Sequence, residues 1–140
     1  MAAPGGLNTA RIQQNVIEYW NEDPRMNWPV KVISTQRAPG ATVGQVRYVR
    51  GCIVSAKFVL GRTLQTAEQI LGLRPGDLAQ GAVLLRLNRL PQPNEFTLTP
   101  GYTNVAAYPG YPPGLGSNQW ILTEDIAATV MRVAAPGQSL

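Results

Sequence analysis

The stretch from Thr99 to Leu122, TPGYTNVAAYPGYPPGLGSNQWIL, limits what this chain can build. It holds four prolines, four glycines and three of the five tyrosines. Proline fixes φ and lacks a backbone donor, and glycine admits positive φ, so most of this segment is neither helix nor ladder. A connection this long is uncommon in a compact domain, where it is usually functional or disordered. Disordered segments are poor in aromatics, whereas Tyr102, Tyr108, Tyr111 and Trp120 are spread through this one. The expectation is an ordered loop that packs through its tyrosines and borders the main cleft. It is read either as a plain connection over a core face or as the aromatic wall of a ligand site.

The remaining residues must supply the core. Of 140 residues, 44% are hydrophobic and only 14% charged, the latter well below the usual value of about 25%. The chain is long enough for one domain over 1–140, with 1–7 and 136–140 loose. Net charge is +4, from ten arginines and two lysines against eight acids. The arginines are scattered, so no polybasic tail is present. The positive balance suits phosphate-bearing partners, from nucleic acid to a dinucleotide.

There is no histidine and one cysteine. That removes His-based acid/base chemistry, Ser-His-Asp and Cys-His triads, histidine metal sites, intrachain disulfides and cysteine metal clusters. Neither a metal site nor a cofactor is expected. Cys52 lies in the apolar run GCIVSAKFVL, where a buried, inert thiol is expected. No apolar window approaches the length of a membrane span, and Met1–Asn8 lacks the charged and apolar regions of a signal peptide.

Periodicity predicts α+β, a mostly antiparallel sheet with an N-terminal helix and short helices. The helix runs from an Asn8 or Thr9 cap to about Asn21 and packs through Ile12, Val16 and Trp20. Val30–Ser34 alternates as a strand. Gln45–Leu60 reads as one strand or two broken at Gly51. Thr63 caps a short helix over Leu64–Leu71 that Gly72 ends. In Gly81–Leu90, Val83, Leu85 and Leu87 share one strand face and Ala82 and Leu84 the other. Phe96 and Leu98 point inward from Glu95–Thr99. Gln119–Leu122 is a strand, Thr123-Glu124-Asp125 reads as a capped short helix, and Val130–Val133 closes the sheet or extends that helix.

The residue types left for chemistry are Arg, Gln, Ser/Thr and aromatics. Arg50 stands at the strand break before Gly51, where a side chain can face a cleft, and Arg62 follows in LGRT. A guanidinium bonds two oxygens of a pyrophosphate at once. The Gln119 carboxamide offers donor and acceptor beside Trp120. The bland alternatives are solvated arginines and an ordinary strand glutamine.

The segment GYPPGLGSNQWIL resembles the Gly-rich-then-Gln-aromatic ending of bacterial secreted toxin domains that consume NAD. These are NAD glycohydrolase toxins and their ADP-ribosyltransferase-like relatives, found as C-terminal cassettes of polymorphic toxins. The resemblance is specific over about 114–122. It implies function at Gln119 and at Arg50 and Arg62, with Tyr108, Tyr111 and Trp120 stacking the nicotinamide ring. NAD is then the substrate, not a cofactor. It also implies a secreted effector delivered to a target-cell cytoplasm and a cognate immunity protein as partner. The chain has a shorter glycine run than that pattern and no Glu-x-Glu pair. Cleavage of the nicotinamide–ribose bond passes through an oxocarbenium-like state and needs no histidine. Two other classes stay open: a protein-binding or structural module docking through the 99–118 aromatic loop, and a metal-free nuclease-type toxin.

Overall fold

The computed structural model describes residues 6–98 and 118–140. Its elements are α1 (Gly6–Glu22), β1 (Pro29–Ser34), β2 (Val46–Ser55), α2 (Leu64–Leu71), β3 (Ala82–Leu87), β4 (Phe96–Leu98) and β5 (Gln119–Ala134). All strand pairings are antiparallel, and the fold is α+β. β1 pairs with β2 and β3, and both of those pair with β5, so four strands close into a small barrel. β4 extends the sheet along the edge of β5 that also takes β3, opposite β2.

The alternation of β3 sorts the core. Val83, Leu85 and Leu87 belong to an inner cluster with Trp20, Ile53, Phe96, Trp120 and Ile126. Ala82 and Leu84 belong to an outer one with Val30, Val54 and the α2 residues Leu64, Ala67 and Leu71. α1 thus closes the inner cluster through Trp20, which is fully buried. Its ring centroid lies 4.9 Å from Phe96 and 5.0 Å from Trp120. Such tilted aromatic contacts add about 0.5–1.5 kcal/mol beyond area burial. Val16 packs at the edge of this cluster. Ile12, expected to pack beside it, is 40% exposed, on the wall of an open groove that it shares with Tyr19 and Trp120.

α2 follows its sequence signals. Thr63 Oγ1 accepts from the Thr66 N–H at 3.1 Å, and Gly72 takes the left-handed conformation (φ 70°) that ends the helix. At Gly81 (φ 107°), a Cβ would stand 2.6 Å from the Ala134 carbonyl oxygen. Only glycine lets β3 start that close to the end of β5.

Four more expectations are corrected. β2 is one strand over Val46–Ser55, and Ala56–Phe58 is a turn of 3-10 helix rather than more strand. There the Ala56 and Lys57 N–H groups turn to the carbonyls of Trp28 and Met26, at 3.0 and 2.8 Å. Thr123–Asp125 is strand, not helix. Val49 pairs with Ile126 and Gly51 with Leu122, so these three residues bulge opposite Arg50. Residues 136–140, expected loose, are tied down. Leu140 is buried and exchanges backbone bonds with Gly61 and Arg62 at 2.6 and 2.9 Å, while Ser139 bridges to Thr63. The fourth correction, at Cys52, belongs to the site described below. The loop expected over 99–118 lies outside the described residues except Asn118.

The β3–β4 connection is fixed by a fork. Arg89 donates to both Glu95 oxygens at 2.7 and 2.8 Å, and the Gln92 N–H donates to Glu95 Oε1 at 2.8 Å. The Arg89 bond above all holds the Glu95 carboxyl down to about 2, against the opposing effect of burial. Because half of Arg89 is solvated, the pair contributes about 1 kcal/mol. A depressed carboxyl contributes above its unfolded value and loses that contribution as pH falls through the folded one. Glu95→Gln therefore costs about 1 kcal/mol of unfolding free energy at pH 7. In urea titrations its gap to the wild type closes as pH drops from 4.5 through 2.

Candidate functional site

The barrel has a seam. β1 and β2 pair at only two positions, Pro29↔Ser55 and Val30↔Val54. From Lys31 onward β1 follows β3 and β2 follows β5. Lys31 pairs with Leu85, which places it on the inner strand face, and its Nζ donates across the seam to the Cys52 carbonyl at 3.0 Å. A side chain thus replaces the next rung of the missing ladder. Around this bond lies a cavity of about 70 Å³ bordered by Arg37, Cys52, Leu71, Leu73 and Gln119. Burial pushes the Lys31 amine down to about 8; the Cys52 side chain opposes that shift and Arg37 adds to it. A perturbed amine in a cleft marks a candidate site on physical grounds.

Gln119 is 1% exposed, and its Nε2 donates to the Leu71 carbonyl at 3.0 Å. It ties the start of β5 to the last residue of α2. Trp120 turns to the other face and lies in the aromatic cluster on Trp20. Arg50 is exposed on β2, its Nη1 4.0 Å from Asp125 Oδ1, a separation worth little in water. It stands four residues along β2 from Val54, the partner of Gln119, a span of about 13 Å. Arg62 is exposed in the turn that receives the C-terminal residue. Gln119 and Trp120 therefore share a strand but face opposite ways, and Arg50 sits apart from both. Tyr108 and Tyr111 lie outside the described residues.

Lys31 and Arg37 were not singled out by sequence reasoning. The signal was the lysine in PVKVIS, since a strand buried on both faces reads as an apolar run and a charge inside one needs a partner. Cys52, expected buried, is only partly so. The cation near it comes from Lys31, 21 residues earlier in the chain, beyond any local reading of the residues around the thiol.

A second feature is the free side of β2. From Val46 to Gly51 the strand is laddered to β5 on one edge. Among the described residues its other edge has no strand partner. Val46 and Tyr48 are 55% and 75% exposed there, and the preceding Val43 is 67% exposed. Among the described residues there is no group of three or more His, Cys, Asp or Glu placed to hold a metal ion. No helix among them is long and apolar enough to cross a membrane.

Compared with known proteins, the chain matches no family model, no curated relative and no solved structure.

The Lys31 amine has its folded value below the unfolded one. The cost of holding the buried charge applies in full below pH 8 and is relieved as pH rises to 10.5, where the unfolded chain also loses the proton. The unfolding free energy of the wild type should gain about 2–3 kcal/mol over that window relative to Lys31→Met. Denaturant titrations at pH 7, 8, 9 and 10 measure the difference, and parallel pH profiles of the two proteins would contradict it.

Proposed function

We propose that this chain is a partner-binding domain in which an extended segment of another protein adds as a strand to the free edge of β2. The observation that carries this reading is the edge over Val46–Gly51, which has no strand partner among the described residues and is flanked by exposed Val46 and Tyr48. Every second residue of an antiparallel strand turns its N–H and C=O away from its neighbour. An edge that presents such groups beside apolar side chains is a template for another strand. Main-chain bonds supply the affinity and the alternate side chains the selectivity. Arg47 and Arg50 lie on this stretch, and the protein carries a net +4, so the fitting segment is acidic.

An acidic immunity protein, the partner implied by the toxin resemblance, is one occupant of this kind. NAD hydrolysis at Gln119 is the rival reading. It has less support from the geometry, because a cavity of about 70 Å³ holds about two waters rather than a nicotinamide ring.

The test is selection of short peptides from a random displayed library against the purified protein, followed by titration of synthetic copies. Selected peptides should alternate apolar and acidic residues and protect the amides of Val46–Gly51 from exchange. Tyr48→Asp should weaken them about tenfold or more with an unchanged circular dichroism spectrum. Peptides that protect other amides, or turnover of NAD by the wild type that Tyr48→Asp leaves intact, would replace this reading.

A further inference from the structure

A second cavity, bordered by described residues alone, lies away from the seam. It measures about 610 Å³ and opens between α2, the turn 73–79 and residues 137–138, a volume in the range that encloses small organic ligands. Leu64, Leu73, Pro75 and Leu78 form its apolar walls, and the carboxamides of Gln65 and Gln138 stand at its rim. One acidic side chain enters this lining. Glu68 is 5% exposed, on the turn of α2 that also buries Ala67 and Leu71.

Glu68 Oε2 accepts from the Leu78 N–H at 2.7 Å, which fixes the carboxylate in place. An ionised carboxylate has about four acceptor positions, and this bond takes one. Among the described residues the ion pairs are Arg50–Asp125 and Arg89–Glu95, so no Lys or Arg there pairs with Glu68. Buried charges are ordinarily paired, because an uncompensated one is costly. Here a buried carboxyl group with acceptor capacity to spare borders an open cavity with apolar walls.

We propose that this cleft is a binding site for a small molecule with a primary ammonium group on an apolar body. The ammonium meets Glu68, the apolar body lies against Leu64, Leu73 and Leu78, and the rim glutamines bond any polar substituent. The site is independent of the β2 edge and does not rest on partner binding.

The experiment uses a matched series: 4-phenylbutylamine, 4-phenylbutanol and 4-phenylbutyrate, titrated into the full chain by calorimetry and amide NMR. The amine should bind at least about tenfold more tightly than the alcohol, and the carboxylate should not bind. The shifts should centre on Leu64, Leu73 and Leu78. Glu68→Gln keeps an acceptor oxygen for the Leu78 N–H. It should bring the amine down to the level of the alcohol while leaving the alcohol unchanged. Ala79→Trp fills the cleft from an exposed position and should abolish binding of both without unfolding the protein. Equal binding of amine and alcohol, amine preference that survives in Glu68→Gln, shifts elsewhere, or no binding at millimolar ligand would each overturn the proposal.

Discussion

Strand β5 serves three other strands, and the shape of the molecule depends on how it divides its two edges among them. One edge pairs with β2 from Gln119 to Thr129. The other pairs first with β4 at Trp120–Leu122 and then with β3 from Ala128 to Ala134. A strand of 16 residues spans about 50 Å if straight, too long to lie flat on a small core. The bulge at Thr123–Asp125 and the register shift near Met131 bend and twist it, so that its two halves serve different parts of the sheet. β3 then carries β1, and β1 reaches back to β2 for two residue pairs only. The seam, the lysine that bridges it and the open edge of β2 all follow from that short closure.

Three polar side chains stand where the backbone lacks a partner. Lys31 donates to the Cys52 carbonyl just past the last β1–β2 pair. Gln119 donates to the Leu71 carbonyl at the end of α2. Glu68 accepts from the Leu78 N–H. Each satisfies a main-chain group that no ladder or helix reaches, and leaving such a group buried and unpaired costs about 1–3 kcal/mol. The glutamine does this without charge. The lysine shares the seam cavity with that glutamine, and the glutamate borders the cavity beside α2.

The sequence was legible wherever short-range rules decide. The alternation of Val83, Leu85 and Leu87 against Ala82 and Leu84 sorted correctly into the two clusters. Thr63 and Gly72 bounded α2 because capping is local chemistry. Thr123-Glu124-Asp125 misled for the same reason. The triplet has the look of a helix start, but strand pairing of both its flanks to β2 overrides a local preference worth about 1 kcal/mol. The C-terminal residues were read as loose because no sequence rule announces that Gly61 and Arg62 await Leu140. Of the site, the one signal was the lysine set in the apolar run PVKVIS, which went unread, and its partner Cys52 is a tertiary fact. So is the turn that sets Leu78 over Glu68.

Gln119 shows why a residue with a suggestive neighbourhood needs its hydrogen bonds counted before it is given a chemical role. A glutamine that orients water or a ribose hydroxyl must aim its amide at the reacting centre. This one spends an N–H on the Leu71 carbonyl, next to Gly72, where the helix has exhausted its own donors. Its removal leaves that buried carbonyl without this donor and opens a gap between β5 and α2, a loss of stability of about 1–3 kcal/mol. Substitution at Gln119 therefore perturbs the wall of the seam and the end of the helix together. A loss of activity in Gln119→Ala would report on chemistry only if the variant were as stable as the wild type. The sharper probe of this region is Lys31, whose amine bridges the seam to the Cys52 carbonyl and whose charge can be removed with the hydrocarbon stem kept.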